Sequence, residues 1–125
     1  MNLSKDLMAA SSAPLILAIL ADGESYGYEI VQRVAELSGG KLHWTDGMMY
    51  PLLHRLEKQG YLAAVWRVAE TGRKRKYYAL TDAGKGVISE QQKQWQVVNN
   101  ALNNAWRSTD NMIGTGGSND GFQPA

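Results

Sequence analysis

The chain has no cysteine, only three prolines, a single phenylalanine and a net charge of just +1. Without cysteine there is no disulfide scaffold and no thiol chemistry. That lack fits a reducing compartment, and the chain is expected to be cytoplasmic. Long apolar runs are missing as well. Residues 14–21 form an apolar stretch too short to span a bilayer, and Asp6 spoils a basic leader, so the N-terminal segment reads as a helix of the fold and not as a signal peptide. Histidine is scarce. His43 and His54 are not spaced i, i+3 or i, i+4 and have no cysteine to join them, so neither a metal site nor a cofactor is expected. Neither a Ser-His-Asp order, nor a glycine-rich phosphate loop opening a helix, nor a paired-carboxylate context stands out. The chain does not read as an enzyme.

What is present is 125 residues of ordinary globular composition, enough for one core. The near-neutral total conceals an uneven distribution. Residues 41–76 hold eight basic and three acidic side chains, a local charge of +5, and the remainder is −4. A basic middle points to a polyanionic partner for one face, although a solvated surface would show the same counts.

Periodicity and turn residues divide the chain into elements. Ser12 or a neighbour is expected to cap a helix with Pro14 in its first turn, with residues 3–10 as a separate short helix or a kinked continuation. A second helix, YGYEIVQRVAEL, places Tyr26, Ile30, Val34 and Leu37 at helical spacing and stops at Ser38-Gly39-Gly40. Residues 42–44 could form a short strand. Thr45 or Asp46 then caps a third helix, 46–59. At 100° per residue its Met49, Leu52, Leu53 and Leu56 share one face; Gly47, Pro51, His54, Arg55 and Lys58 face away, with Tyr50 on the flank.

Two segments of strand composition around Thr71-Gly72 follow, a β-hairpin over 62–80 whose turn end carries Arg73, Lys74, Arg75 and Lys76. A last helix begins at Thr81-Asp82 and runs to about residue 108. Ile88, Gln91, Trp95, Val98, Leu102 and Ala105 step along it by three and four, the stripe of a helix that pairs with another. Residues 110–125 are rich in Gly, Ser and Asn and read as a disordered tail. The chain thus divides into 1–81, 82–109 and 110–125. Its fold class is mainly α with a small β-hairpin: a winged helix-turn-helix with a long C-terminal helix for dimerisation.

On this order the recognition helix is 46–59 and the wing 62–80. Gly47 and Pro51 allow close approach to a groove, and His54, Arg55 and Lys58 supply donors. Because a strand alternates its faces, residues 73–76 cannot all point one way. Arg73 and Lys74, nearest the turn, are the stronger candidates for phosphate contact, Arg75 and Lys76 the weaker.

The runs ESYGYEI, MMYPLLHRLEKQGYL and GRKRKYYALTDAGK, in that order and spacing, resemble the PadR family of bacterial transcriptional regulators over roughly residues 5–106. Within it the chain is similar to a short branch with a single C-terminal helix, which includes multidrug-binding members. The resemblance implies a homodimer on a pseudo-palindromic operator of double-stranded DNA, usually a repressor, often released by a small aromatic or amphipathic effector. It implies that Tyr50 touches a phosphate, against a plainer reading as a half-buried aromatic. It also sets Trp95 where that branch stacks its ligand, with Leu7, Ala10, Pro14, Gln91 and Asn99 around it. Gln91, Gln92 and Asn99 depart from the branch pattern, and Trp95 reads equally well as a packing residue. Dimerisation would fall to Ile88, Trp95, Val98 and Leu102, with residues 3–10 against the partner's last helix. The rival reading is a winged-helix module that holds a ligand or a protein and binds DNA weakly.

Overall fold

A computed structural model describes residues 2–113. Among them are four helices and one three-stranded sheet: α1 (Lys5–Ala21), β1 (Ser25–Tyr26), α2 (Gly27–Leu37), α3 (Asp46–Lys58), β2 (Leu62–Val68), β3 (Lys74–Leu80) and α4 (Asp82–Ile113). The chain forms two compact units that divide after Ile88, so the first two turns of α4 belong with the other elements and the rest stands as a second unit.

α1 is one helix, the continuation and not the separate segment of the two forms expected, and it starts well before the Ser12 cap expected for it. Its cap is Ser4, whose Oγ accepts from the Leu7 N–H at 3.2 Å, and Pro14 lies inside it. Proline removes one backbone donor and crowds the carbonyl one turn back. Just before it, the Ser11 hydroxyl donates to the Leu7 carbonyl at 2.8 Å and the Ser12 hydroxyl donates to that of Met8. Hydroxyls that back-bond this way accommodate a bend without ending the helix. Burial of Ile16, Leu17, Ile19 and Leu20 beyond the proline holds the C-terminal half in place.

The core is shared by the first three helices and the sheet. Ile16, Leu17, Ile30, Val34, Met49, Leu53 and Tyr78 are its most fully buried side chains. Each such side chain contributes on the order of 2 kcal/mol relative to exposure. α3 buries the four residues that its periodicity selects, Met49, Leu52, Leu53 and Leu56.

The sheet is antiparallel in the order β1-β3-β2, so β3 is central. Leu62 pairs with Leu80, Ala64 with Tyr78, Trp66 with Lys76 and Val68 with Lys74. The tip is closed by the Ala69 N–H on the Arg73 carbonyl and the Gly72 N–H on the Ala69 carbonyl, both at 2.8 Å; Gly72 there takes φ +83°, which favours glycine. The third strand is not where it was expected. Residues 42–44 form no strand, because the Leu42 N–H is taken by the Ser38 hydroxyl at 2.8 Å, which ties the segment to the end of α2. Ser25 and Tyr26 pair instead with Tyr78 and Tyr77, so Tyr26 leaves the helical face assigned to it and becomes a strand residue that precedes α2.

α4 starts from Thr81, whose hydroxyl donates to the Gly60 carbonyl at 2.6 Å and accepts from the Gly84 N–H at 3.1 Å. The helix continues past 109 to Ile113; the tail expected at 110–125 otherwise lies outside the described residues. Ile88, expected on the dimer stripe, packs half-buried against the core of the first unit. The Thr81 anchor sets the first turns of α4 down on that core before the stripe begins. In the second unit Trp95 is half-buried, and Val97, Val98, Leu102 and Trp106 are exposed.

Candidate nucleic-acid interface

α3 is capped by Thr45, whose Oγ1 accepts from the Met48 N–H at 3.3 Å. With one face of the helix in the core, Gly47, Tyr50, Pro51, His54, Arg55 and Lys58 are all exposed. Beside this face the wing and the start of α2 enclose a cleft of about 600 Å³. Its walls are Tyr50 and His54 from α3, Tyr26, Gly27 and Tyr28 from the β1–α2 junction, and Trp66, residues 73–76 and Tyr78 from the hairpin. The cleft is aromatic on its walls and cationic along one rim. Such a combination fits a phosphate backbone with its sugars.

The four basic residues of the wing are not equivalent. Arg73 and Lys74 are exposed and Arg75 and Lys76 are half-buried. Arg75 lies over the Tyr26 ring at 4.5 Å, and Tyr26 packs edge-on against Tyr77 at 5.1 Å. Lys76 reaches Glu57 on α3 at 3.7 Å and stands 5.2 Å above the Tyr78 ring. Two charges are thus engaged within the fold, and two are presented to solvent. Opposite Arg75 on the neighbouring strand, Arg67 is bound by Glu24 at 2.6 Å, and that hydrogen bond, followed by the carboxylate's charge, raises the guanidinium pKa further. Arg67 is therefore a cation at any working pH and is matched by an anion on the surface.

Tyr50 owes its position to a glycine. A Cβ on Gly27 would lie 2.5 Å from the Tyr50 hydroxyl oxygen and 2.9 Å from the Met49 terminal methyl, so only a residue without a side chain lets the phenol rest there. Tyr26, Tyr28, Trp66 and Tyr78 were not anticipated as parts of the site. The hairpin register could have found Trp66, since it pairs with Lys76 and shares the face of Lys74.

The residues grouped around Trp95 fall in both units. Leu7 and Ala10 are exposed and Pro14 half-buried on α1, while on α4 Gln91 and Trp95 are half-buried and Asn99 is exposed. Among the described residues no group of three or more His, Cys, Asp or Glu side chains is placed to hold a metal ion, and no helix is long and apolar enough to cross a membrane.

Comparison with known proteins gives a consistent result. Residues 16–90 match the model of the transcriptional regulator PadR-like family. The transcriptional regulator Rv3488 of Mycobacterium tuberculosis is 38% identical over 78 residues, covering 62% of this chain and 69% of that protein. A solved transcriptional regulator from Clostridium thermocellum superposes with a TM-score of 0.74 at 27% identity, over 82% of this chain and 96% of that one. A solved PadR family regulator from Eggerthella lenta gives 0.71 at 32% identity, over 81% and 86%.

Proposed function

The chain belongs to the PadR-like family of transcriptional regulators, which are not enzymes, and from that premise we propose that it is a homodimeric repressor that binds a pseudo-palindromic operator. α3 enters the major groove with His54, Arg55 and Lys58 towards the bases and phosphates, and Gly47 and Pro51 at the point of closest approach. Tyr50 contacts a phosphate. Arg73 and Lys74 neutralise the adjacent backbone, and Arg75 and Lys76 hold the wing in shape. The observation that carries this reading is the single cleft where the exposed face of α3 meets the basic rim of the wing.

Dimerisation is supported by the exposed apolar row on α4, in which Val98, Leu102 and Trp106 follow one another at a spacing of four. A two-fold pair would set two copies of α3 about 34 Å apart, one turn of DNA. Release by a planar aromatic effector near Trp95 is supported by the half-buried indole and by the resemblance. Quenching of tryptophan emission by such compounds should disappear in Trp95→Ala.

The decisive experiment titrates the protein into the DNA upstream of its own coding sequence across a range of salt. Specific binding should weaken as salt rises. Arg73→Ala and Lys74→Ala should each reduce the slope of log K against log salt by about 0.9. Absence of specific binding, or binding indifferent to salt, refutes the proposal.

A further inference from the structure

We propose that Trp66, with Val68 beside it, is an apolar wedge that the wing sets into the minor groove flanking the α3 site, packing on deoxyribose rings and base-step edges. The inference rests on the DNA-binding reading above and adds to it a contact that is not electrostatic.

One face of the hairpin explains the placement. Leu62, Ala64, Trp66 and Val68 alternate along that face of β2, opposite Leu80, Tyr78, Lys76 and Lys74. At the base of the wing the face is core, with Leu62 and Tyr78 buried. Further out it leaves the protein, and there Trp66 is 64% and Val68 66% exposed. Among the described residues no ring or cation stacks on the indole. Two large apolar side chains therefore stand in water on the sheet's edge strand, each beside a lysine of the central one. Exposed apolar side chains on an edge strand invite aggregation, and a wing that served only to carry charge would gain nothing from them.

Reach and charge select the occupant. The six residue steps from Leu62 to Val68 span about 20 Å in a strand, whereas the major groove is about 12 Å wide. With α3 in that groove, the outer half of the wing passes over the phosphate backbone to the minor groove next to it. The indole lines the cleft together with Tyr50 and His54, so it faces the DNA side. Lys74 and the neighbouring Arg73 are the exposed cations that a wedge between two phosphate rows needs beside it. Apolar side chains inserted at base steps partly unstack them and kink the duplex.

The test uses the full chain and a fluorescein-labelled duplex of the upstream region, with polarisation read at several salt concentrations. Trp66→Ala should weaken binding about five- to a hundredfold, the range seen when a base-stacking aromatic is truncated. Its salt slope should stay that of the wild type. Trp66→Phe should recover most of the affinity. Lys74→Ala should instead lower the slope. An independent reading comes from the wild type alone: 2-aminopurine at the flanking steps should brighten on binding as the step unstacks. Equal affinity of Trp66→Ala and wild type overturns the wedge and leaves DNA binding standing. A lowered slope in Trp66→Ala overturns it in favour of an indole that merely positions the lysines. Loss of self-association in DNA-free Trp66→Ala, measured by sedimentation, overturns it in favour of a second copy on this edge. Failure of the wild type to bind the duplex defeats both readings together.

Discussion

Replacing Gly27 by alanine separates the position of Tyr50 from its presence. The added methyl would sit 2.5 Å from the Tyr50 oxygen, 3.0 Å from its Cζ and 2.9 Å from the Met49 terminal carbon. Optimal carbon contacts lie at about 3.5–4.0 Å, so the phenol must retreat by about 1 Å. Overpacking a core costs about 1–3 kcal/mol, but these neighbours are the ends of flexible side chains, and Tyr50 is 39% exposed. Alanine also recovers part of the conformational entropy that glycine loses in a helix. Stability should therefore fall by no more than about 1 kcal/mol, read as the urea midpoint at fixed protein concentration. DNA affinity should fall much further, because a hydrogen bond to a charged group contributes about 1.5–3 kcal/mol, roughly ten- to a hundredfold in Kd. In a Tyr50→Ala background the same change should cost little additional affinity, since the group it displaces has gone. The same fold loss in both backgrounds would refute the coupling of Gly27 to Tyr50. So would a stability loss of several kcal/mol with binding intact.

Thr81→Ala removes both a donor to Gly60 and the cap on Gly84, and should destabilise by about 1–2 kcal/mol in urea, with Thr81→Ser near wild type. Tyr78→Phe should leave the urea midpoint unchanged or raise it, because the buried hydroxyl has no hydrogen-bond partner among the described residues; a loss of more than about 1 kcal/mol would show that it has one. Leu102→Glu, on the exposed row of α4, should yield monomers by light scattering and weaken operator binding, and an intact dimer would exclude that row as the interface.

Much of the exposed face of α3 was legible because it is written in local periods. The apolar spacing of Met49, Leu52, Leu53 and Leu56 leaves Gly47, Pro51, His54, Arg55 and Lys58 outside, whatever α3 packs against. The hairpin was legible from strand composition around Thr71-Gly72. Strand alternation showed that residues 73–76 could not all face one way, and nearness to the turn singled out Arg73 and Lys74. The cap of α1 was misplaced at Ser12 because Pro14 was read as a first-turn residue; the helix is capped at Ser4, and the two serines before the proline bind back to Leu7 and Met8. β1 was missed because a two-residue strand has no period, and its partners, Tyr77 and Tyr78, are some fifty residues away. Ile88 kept the step of the stripe but sits where the Thr81 anchor turns the helix onto the core.

Sequence by itself determined the order of the helices and the hairpin, the buried side of α3 and the concentration of positive charge at the wing, because helix and strand periods and turn chemistry act over a few residues. Only the tertiary structure decided which of those charges remain free. Arg75 is held by Tyr26 and Lys76 by Glu57, partners brought together by sheet pairing and helix packing, which no local period encodes. The same holds for Gly27, whose missing side chain matters only because α3 crosses there and sets Tyr50 against it.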